Sequence, residues 1–270
     1  MSKQNKVNEL AILGEKNTIL QKLIKFLKEN HSYVEGSRID YYKNKIGDEN
    51  AKVKLRKIFI DSLNASGGNN LSSSGIACQN FYNLIEKMPN AKIIDFQNFI
   101  NIFNENCNSN IADIEDLYIF LANSPFFPNI RNKKAAIFIR NIFWLQETEK
   151  KIFNNLVIEP KSLKIPVDII IVTILNKVLK LTDQNILKAD RDFNLINEFS
   201  YNIMGEDYMV IEDLWFWGFF NTKSIKLNET DRRERIIEFN SEKYYSADFI
   251  YPNKELENKL NEFNSIIINK

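Results

Sequence analysis

The sequence predicts an all-α fold, a two-lobed helical bundle, and three observations predict it. Apolar residues recur at helical spacing along most of the chain. Only 8 Gly and 6 Pro occur in 270 residues, too few turn-makers for a protein of many short strands. The 20 Phe and 10 Tyr supply a core and exclude disorder. A chain of 270 residues bounds the molecule to one two-lobed domain or two small domains, and one two-lobed domain over 1–270 is expected.

The elements follow in order. Leu20, Leu23, Ile24 and Leu27 share a stripe, with Lys22, Lys25 and Lys28 elsewhere on the wheel, so an amphipathic helix is expected to start the chain. Leu55, Ile58, Phe59 and Leu63 define a second helix over 52–64. The polar run 66–75 reads as a loop, and it is no phosphate loop, since no Gly-Lys-Ser/Thr closes it and no strand precedes it. Further stripes are Phe81, Leu84, Ile85 and Met88; then Phe96, Phe99, Ile100 and Phe103; then Ile114, Leu117 and Leu121. After the break Ser124-Pro125-Phe126-Phe127-Pro128, helices are expected over 133–145, 166–181, 192–204 and 208–220. Ile169-Ile170-Ile171-Val172 is β-branched, but its continuation through Ile174, Leu175, Val178 and Leu179 decides for a helix. Two amphipathic pieces close the chain, 236–239 and 256–267, joined through Tyr244-Tyr245. No strand is expected and no repeat recurs.

Charge and reactive residues narrow the chemistry. Thirty-six Lys and Arg against 35 Asp and Glu leave a net charge of +1, without the basic excess of a chain that coats nucleic acid. Two cysteines, Cys78 and Cys107, and one histidine, His31, are too few for a four-ligand zinc or iron–sulfur site, so no metal and no cofactor are expected. The cysteines read as reduced, half-buried thiols and His31 as a solvated loop residue. No signal-peptide pattern and no run of about 18 apolar residues occur, which predicts a cytoplasmic chain with no membrane partner.

Two segments carry more specific information. Phe127-Pro128-Asn129-Ile130-Arg131-Asn132-Lys133-Lys134 forms a short hairpin between two helices. The second helix points backbone N–H groups outward at Asn132, Lys133 and Lys134, an arrangement suited to a phosphate. Two lysines at that end oppose the helix dipole by about 0.3–1 kcal/mol, so they either extend into water or gain from a depressed pKa. The other segment is Lys164-Ile165-Pro166-Val167-Asp168, in which Pro166 suits the first turn of a helix and places Asp168 within that turn, where the dipole favours the ionised form.

Together these residues resemble the helix-hairpin-helix DNA glycosylases. In that family a hairpin of the type Leu-Pro-Gly-Val-Gly-x-Lys precedes the helix bearing a nucleophilic lysine, and Pro-Val-Asp opens a later helix with an essential aspartate. The separation 168 − 133 = 35 residues, Leu121-Ala122-Asn123-Ser124-Pro125 before the hairpin and Ile211-Glu212-Asp213-Leu214-Trp215 later look most like the archaeal-type 8-oxoguanine glycosylase branch. The resemblance covers about 111–220, and Asn129 and Arg131 replace both hairpin glycines.

The resemblance implies a monomeric DNA repair enzyme that takes an oxidised purine, 8-oxoguanine, out of damaged double-stranded DNA and goes on to lyase chemistry. Lys133 is the implied nucleophile, with Lys134 as the alternative. Asp168 is the implied carboxylate that stabilises positive charge on the sugar and moves protons. Asn129, Arg131 and Asn132 are the implied DNA contacts, and Trp215 is the implied stacking partner of the flipped base. Two apart on one helix, Trp215 and Trp217 face different sides, so at most one lines a pocket, and the competing expectation is that both are core, as Trp144 reads. A local basic face is expected from Arg131, Lys133, Lys134 and Arg140 with Lys161, Lys164, Lys177 and Lys180, the acids Glu147, Glu149, Glu206, Asp207, Glu212 and Asp213 lying elsewhere. The competing expectation is a non-catalytic helical module that binds DNA or protein, with Lys133 and Asp168 as surface residues.

Overall fold

Most helices start where a short polar side chain can take up a backbone N–H that the helix itself leaves unpaired. The computed structural model describes residues 3–65, 71–146, 148–182, 185–226 and 233–268. It begins with α1, Lys3–Glu15, and α2, Thr18–Ile46. Asn17 starts α2, its Oδ1 accepting from Leu20 N at 2.9 Å. Asn50 does the same for α3, Ala51–Asn64, through Val53 N at 3.0 Å. After α4, Leu71–Ile85, and the two-residue strand β1, Ile94–Asp95, Asp95 caps α5, Phe96–Cys107. Asp113 caps α6, Ile114–Asn123. Then come α7, Asn132–Gln146, the strand β2, Phe153–Asn154, and a 3-10 turn, Pro160–Ser162. The chain continues through α8, Ile169–Val178, α9, Phe193–Met204, a 3-10 segment Gly205–Glu212, and α10, Asp213–Phe220. A β-hairpin, β3 Thr222–Lys226 with β4 Arg233–Ile237, leads to α11, Ser241–Ser246, and α12, Lys254–Ile268.

Two compact units result, a terminal unit of Met1–Arg38 with Val167–Lys270 and a central unit of Ile39–Pro166. The core of the central unit is aromatic. Phe59 stacks on Phe81 at 3.9 Å between centroids, with Phe127 and Phe138 edge-on to both. In this unit β1 pairs in parallel with β2, Ile94 opposite Phe153. The terminal unit packs round Trp217, which meets Phe26 edge-on at 5.1 Å and Tyr33 face-on at 6.2 Å. Gly218 lies where α10 crosses α8, and a Cβ there would run into Ile170 and Ile174. The pair β3–β4 is antiparallel, from Thr222 opposite Ile237 to Lys226 opposite Arg233.

The molecule is mostly helical, and several expectations need correction. A helix, α1, precedes the stripe that begins at Leu20, and α2 runs on to Ile46 because Val34 and Tyr42 extend its buried face. Of the expected loop 66–75, residues 66–70 lie outside the described residues, whereas Leu71–Gly75 opens α4, drawn into the helix that buries Ala77, Phe81 and Leu84. Met88 is buried in the turn after that helix. Strands occur where none was expected, and Ile236 belongs to β4, since cross-strand pairing satisfies its backbone. Residues 205–212 are 3-10, so the last aromatic helix starts only at Asp213. Pro166 lies ahead of α8.

Candidate functional site

In the central unit, α6 and α7 pack on each other and are joined by residues 124–131. Two successive turns shape the connection, Phe127 N donating to Ser124 O and Ile130 N to Phe127 O, each at 3.1 Å. Phe127 and Ile130 are buried and pin the connection to the core. Between them Asn129 takes a left-handed backbone, φ 68°, a conformation that glycine reaches most easily and asparagine next. Its Nδ2 donates to Ser74 Oγ at 2.8 Å, so the side chain is turned onto α4. The Arg131 carbonyl accepts from Ala135 N at 3.0 Å and starts α7, while the Arg131 side chain is exposed. Asn132 Oδ1 accepts from the Tyr118 hydroxyl at 3.1 Å, and burial pushes that phenol up, keeping it a neutral donor. Of the three expected DNA contacts, Arg131 is therefore the one with an exposed side chain.

The adjacent lysines differ. Lys133 is half-buried and its Nζ donates to the Ala65 carbonyl at 3.1 Å. Lys134 is buried, and loss of hydration, reinforced by the charge of Lys133, pushes its amine below the usual lysine range. Part of the expected basic face is used internally, since Arg140 stacks on Trp144 at 4.3 Å and Lys164 pairs with Glu115 at 3.2 Å. Trp144 is buried, and of the acids, Glu147 lies outside the described residues.

Asp168 belongs to the terminal unit and is buried. It stands one residue before α8 and not inside its first turn, a correction that follows from its extended backbone, φ −130°, ψ −179°. Its Oδ1 accepts from Ile170 N at 2.8 Å and Ile171 N at 3.1 Å, a double N-cap that fixes the carboxylate on the helix axis. Sequence reasoning missed a charged neighbour, Lys243 of α11. Its Nζ donates to Phe219 O at 3.1 Å and Thr222 O at 3.5 Å and lies 4.5 Å from the Phe219 ring centroid. Burial lowers this amine most, Arg235 adds to the lowering, and the Asp168 carboxylate opposes it. Nothing in the local pattern Ser241-Glu242-Lys243-Tyr244 signals this, because the chain returns to α8 only by way of the β-hairpin.

Trp215 is half-exposed and tilted against Phe219 and Phe249 at 5.4 and 5.8 Å, whereas Trp217 is wholly buried. The two faces of α10 are thus divided between a partly open aromatic group and the core. The second missed feature is His31, which is no loop residue: it lies in α2 with Nδ1 2.7 Å from Oδ2 of the fully buried Asp213. Arg38 reaches Asp213 Oδ1 at 3.2 Å and Glu212 Oε1 at 3.1 Å. Hydrogen bonding to Asp213 raises the imidazole pKa from its ordinary 6.5.

Lys133, Lys134 and the hairpin belong to the central unit, Asp168 and Trp215 to the terminal unit. Cys78 and Cys107 are free and half-buried, and burial pushes both thiols up. Among the described residues, no cluster of three or more His, Cys, Asp and Glu is placed to hold a metal, and no helix is long and apolar enough to cross a membrane. Compared with known proteins, the chain matches no family model, no curated protein and no solved structure.

Proposed function

We propose that the chain is a helix-hairpin-helix DNA glycosylase with lyase activity, acting on an oxidised purine, 8-oxoguanine, in duplex DNA. The observation that carries this reading is the turn at Asn129, which adopts a left-handed backbone where the resemblance calls for glycine and leads directly into a helix whose first turn bears Lys133 and Lys134. A turn of this form lets the α7 N-terminus approach a phosphate with its N–H groups and positive dipole. Arg131 adds an exposed guanidinium beside it.

The attacking amine is Lys133, which the hairpin register selects and which solvent reaches; buried Lys134 is the alternative. A neutral amine attacks the anomeric sugar carbon as the bond from that carbon to the base breaks, the base leaving with the electron pair and taking up a proton. Loss of the amine proton and opening of the sugar ring give the Schiff base, from which elimination of the 3′ phosphate cleaves the strand. Asp168, held by two backbone N–H groups, stabilises the positive charge that develops on the sugar. Trp215 offers an aromatic face to the extruded base.

Borohydride added during incubation with a duplex containing 8-oxoguanine or an abasic site traps an adduct in the wild type, and Lys133→Ala loses it. An adduct that survives in Lys133→Ala but not in Lys134→Ala reassigns the nucleophile; one that survives in both, or never forms, rejects the enzyme. The second reading is a DNA-binding module without chemistry, favoured by the tie of Lys133 to the Ala65 carbonyl. It predicts DNA binding at low salt with no product and no adduct.

A further inference from the structure

Thr222, the fully buried first residue of β3, gathers charged groups that neither the hairpin nor the helix cap explains. Its hydroxyl donates to Gly218 O at 2.8 Å and accepts from Arg235 Nη1 at 3.2 Å, while its carbonyl accepts from Lys243 Nζ at 3.5 Å. The base of the β-hairpin and α11 thus bring two cations to one residue. Lys223, the neighbouring basic residue of β3, is taken up by Glu238 at 2.5 Å. Among the described residues, neither Arg235 nor Lys243 stands at ion-pair distance from a carboxylate.

The two cations repel each other, and that repulsion adds to burial in lowering the Lys243 amine, with Asp168 as the opposing charge. Among the described residues, two positive groups thus share one half-buried place, where bringing in an anion relieves their repulsion. A carboxylate that works beside a polyanion also requires cations in front of it, since Asp168 alone repels the phosphates it has to approach.

We propose that Arg235 and Lys243 form a phosphate-contact site that seats the backbone of duplex DNA beside Asp168. The inference rests on the reading of Asp168 as part of a DNA-acting site and supplies a terminal-unit contact that the hairpin does not. A guanidinium and an ammonium converging on one residue suit a single phosphodiester, the first by its planar fork and the second as a point charge.

Salt dependence of binding separates a phosphate contact from a packing effect, because each phosphate neutralised adds about 0.9 to the slope of log affinity against log salt. The probe is a duplex carrying a tetrahydrofuran abasic-site analogue, titrated between 50 and 200 mM salt, about the range over which phosphate contacts are resolved. Lys243→Met combined with Arg235→Gln is expected to flatten the slope by about 0.9, the loss of one phosphate, each single variant to flatten it by part of that, and Lys243→Arg to keep it. If Lys243→Met fails to fold, as judged by circular dichroism, Arg235→Gln reads the proposal alone, since its guanidinium ends no helix. Weaker binding with an unchanged slope, or a wild type that does not bind the duplex, overturns it. A wild type that shows these slopes but traps no borohydride adduct keeps the phosphate site and loses the glycosylase; an adduct with unmoved slopes does the reverse.

Discussion

Gly218 shows how one missing side chain positions a candidate catalytic one. Its Cβ would stand 2.5 Å from Ile174 Cδ1 and overlap Ile170 as well, so α10 approaches α8 closely only because nothing is there. Gly218→Ala is expected to destabilise the protein by about 1–3 kcal/mol by overpacking, read from the urea midpoint, and Ile174→Ala in the same chain should recover part of that loss. Asp168 caps α8 and, under the proposed function, is also the carboxylate of the site, and substitutions separate the two. Asparagine keeps an oxygen for the N–H groups of Ile170 and Ile171 but not the charge that opposes Lys243, so Asp168→Asn should lose less stability than Asp168→Ala, which forfeits the cap as well, by about 1 kcal/mol. Single-turnover base removal should nevertheless fall sharply in both, because the charge has gone from both. Undiminished turnover in the asparagine variant leaves Asp168 as a helix cap and nothing more.

At the scale of elements, the connection between α6 and α7 is held by its ends and turned by its middle. Phe127 and Ile130 anchor it, and Asn129 makes the turn at φ 68°. Asn129→Val is expected to cost about 1–2 kcal/mol, since a β-branched residue resists that backbone, while Asn129→Gly should be milder, losing the bond to Ser74 but easing the turn; thermal melts of the two variants decide. Elements were legible in the sequence where an apolar stripe is unbroken, Leu55 to Leu63, Phe96 to Phe103 and Ile114 to Leu121; that Asn50, Asp95 and Asp113 cap them emerges from the structure. They were illegible where pairing across the chain decides. The strands β3 and β4 have no strict alternation, and each is a strand because the other satisfies its backbone. His31 and Lys243 escaped for the same reason: their partners Asp213 and Asp168 lie 182 and 75 residues away along the chain, beyond the reach of any local pattern. Trp215 and Trp217, two apart on one helix, were separable beforehand as faces, and the structure decides which of the faces is core.

Over the whole molecule, 36 basic against 35 acidic side chains conceal a buried charge group that couples stability to pH. Asp213 is fully buried between His31 and Arg38, and Glu212 shares the same guanidinium. With His31 protonated, two cations balance two carboxylates; with His31 neutral, a carboxylate inside the terminal unit loses half its compensation, which is costly where water is absent. The groups that act on the imidazole are Asp213 and Glu35, which raise its pKa, and burial and Arg38, which lower it; the balance is a rise. A folded-state pKa above 6.5 means that the native chain binds the proton more tightly than the unfolded chain does. The stabilisation is therefore complete below pH 6.5 and is lost as pH rises through the folded value. His31 is the only histidine in the chain, so its ring protons form one resolvable pair of NMR signals and no other imidazole contributes between about pH 6 and 8. Those signals should titrate above 6.5, and the urea midpoint should fall over the same interval. In Asp213→Asn the titration should drop and the fall in stability flatten, with the variant less stable at low pH because His31 and Arg38 lose a charged acceptor. A wild-type imidazole that titrates at or below 6.5, or a stability that rises across the interval, would show that Asp213 does not hold the proton on His31.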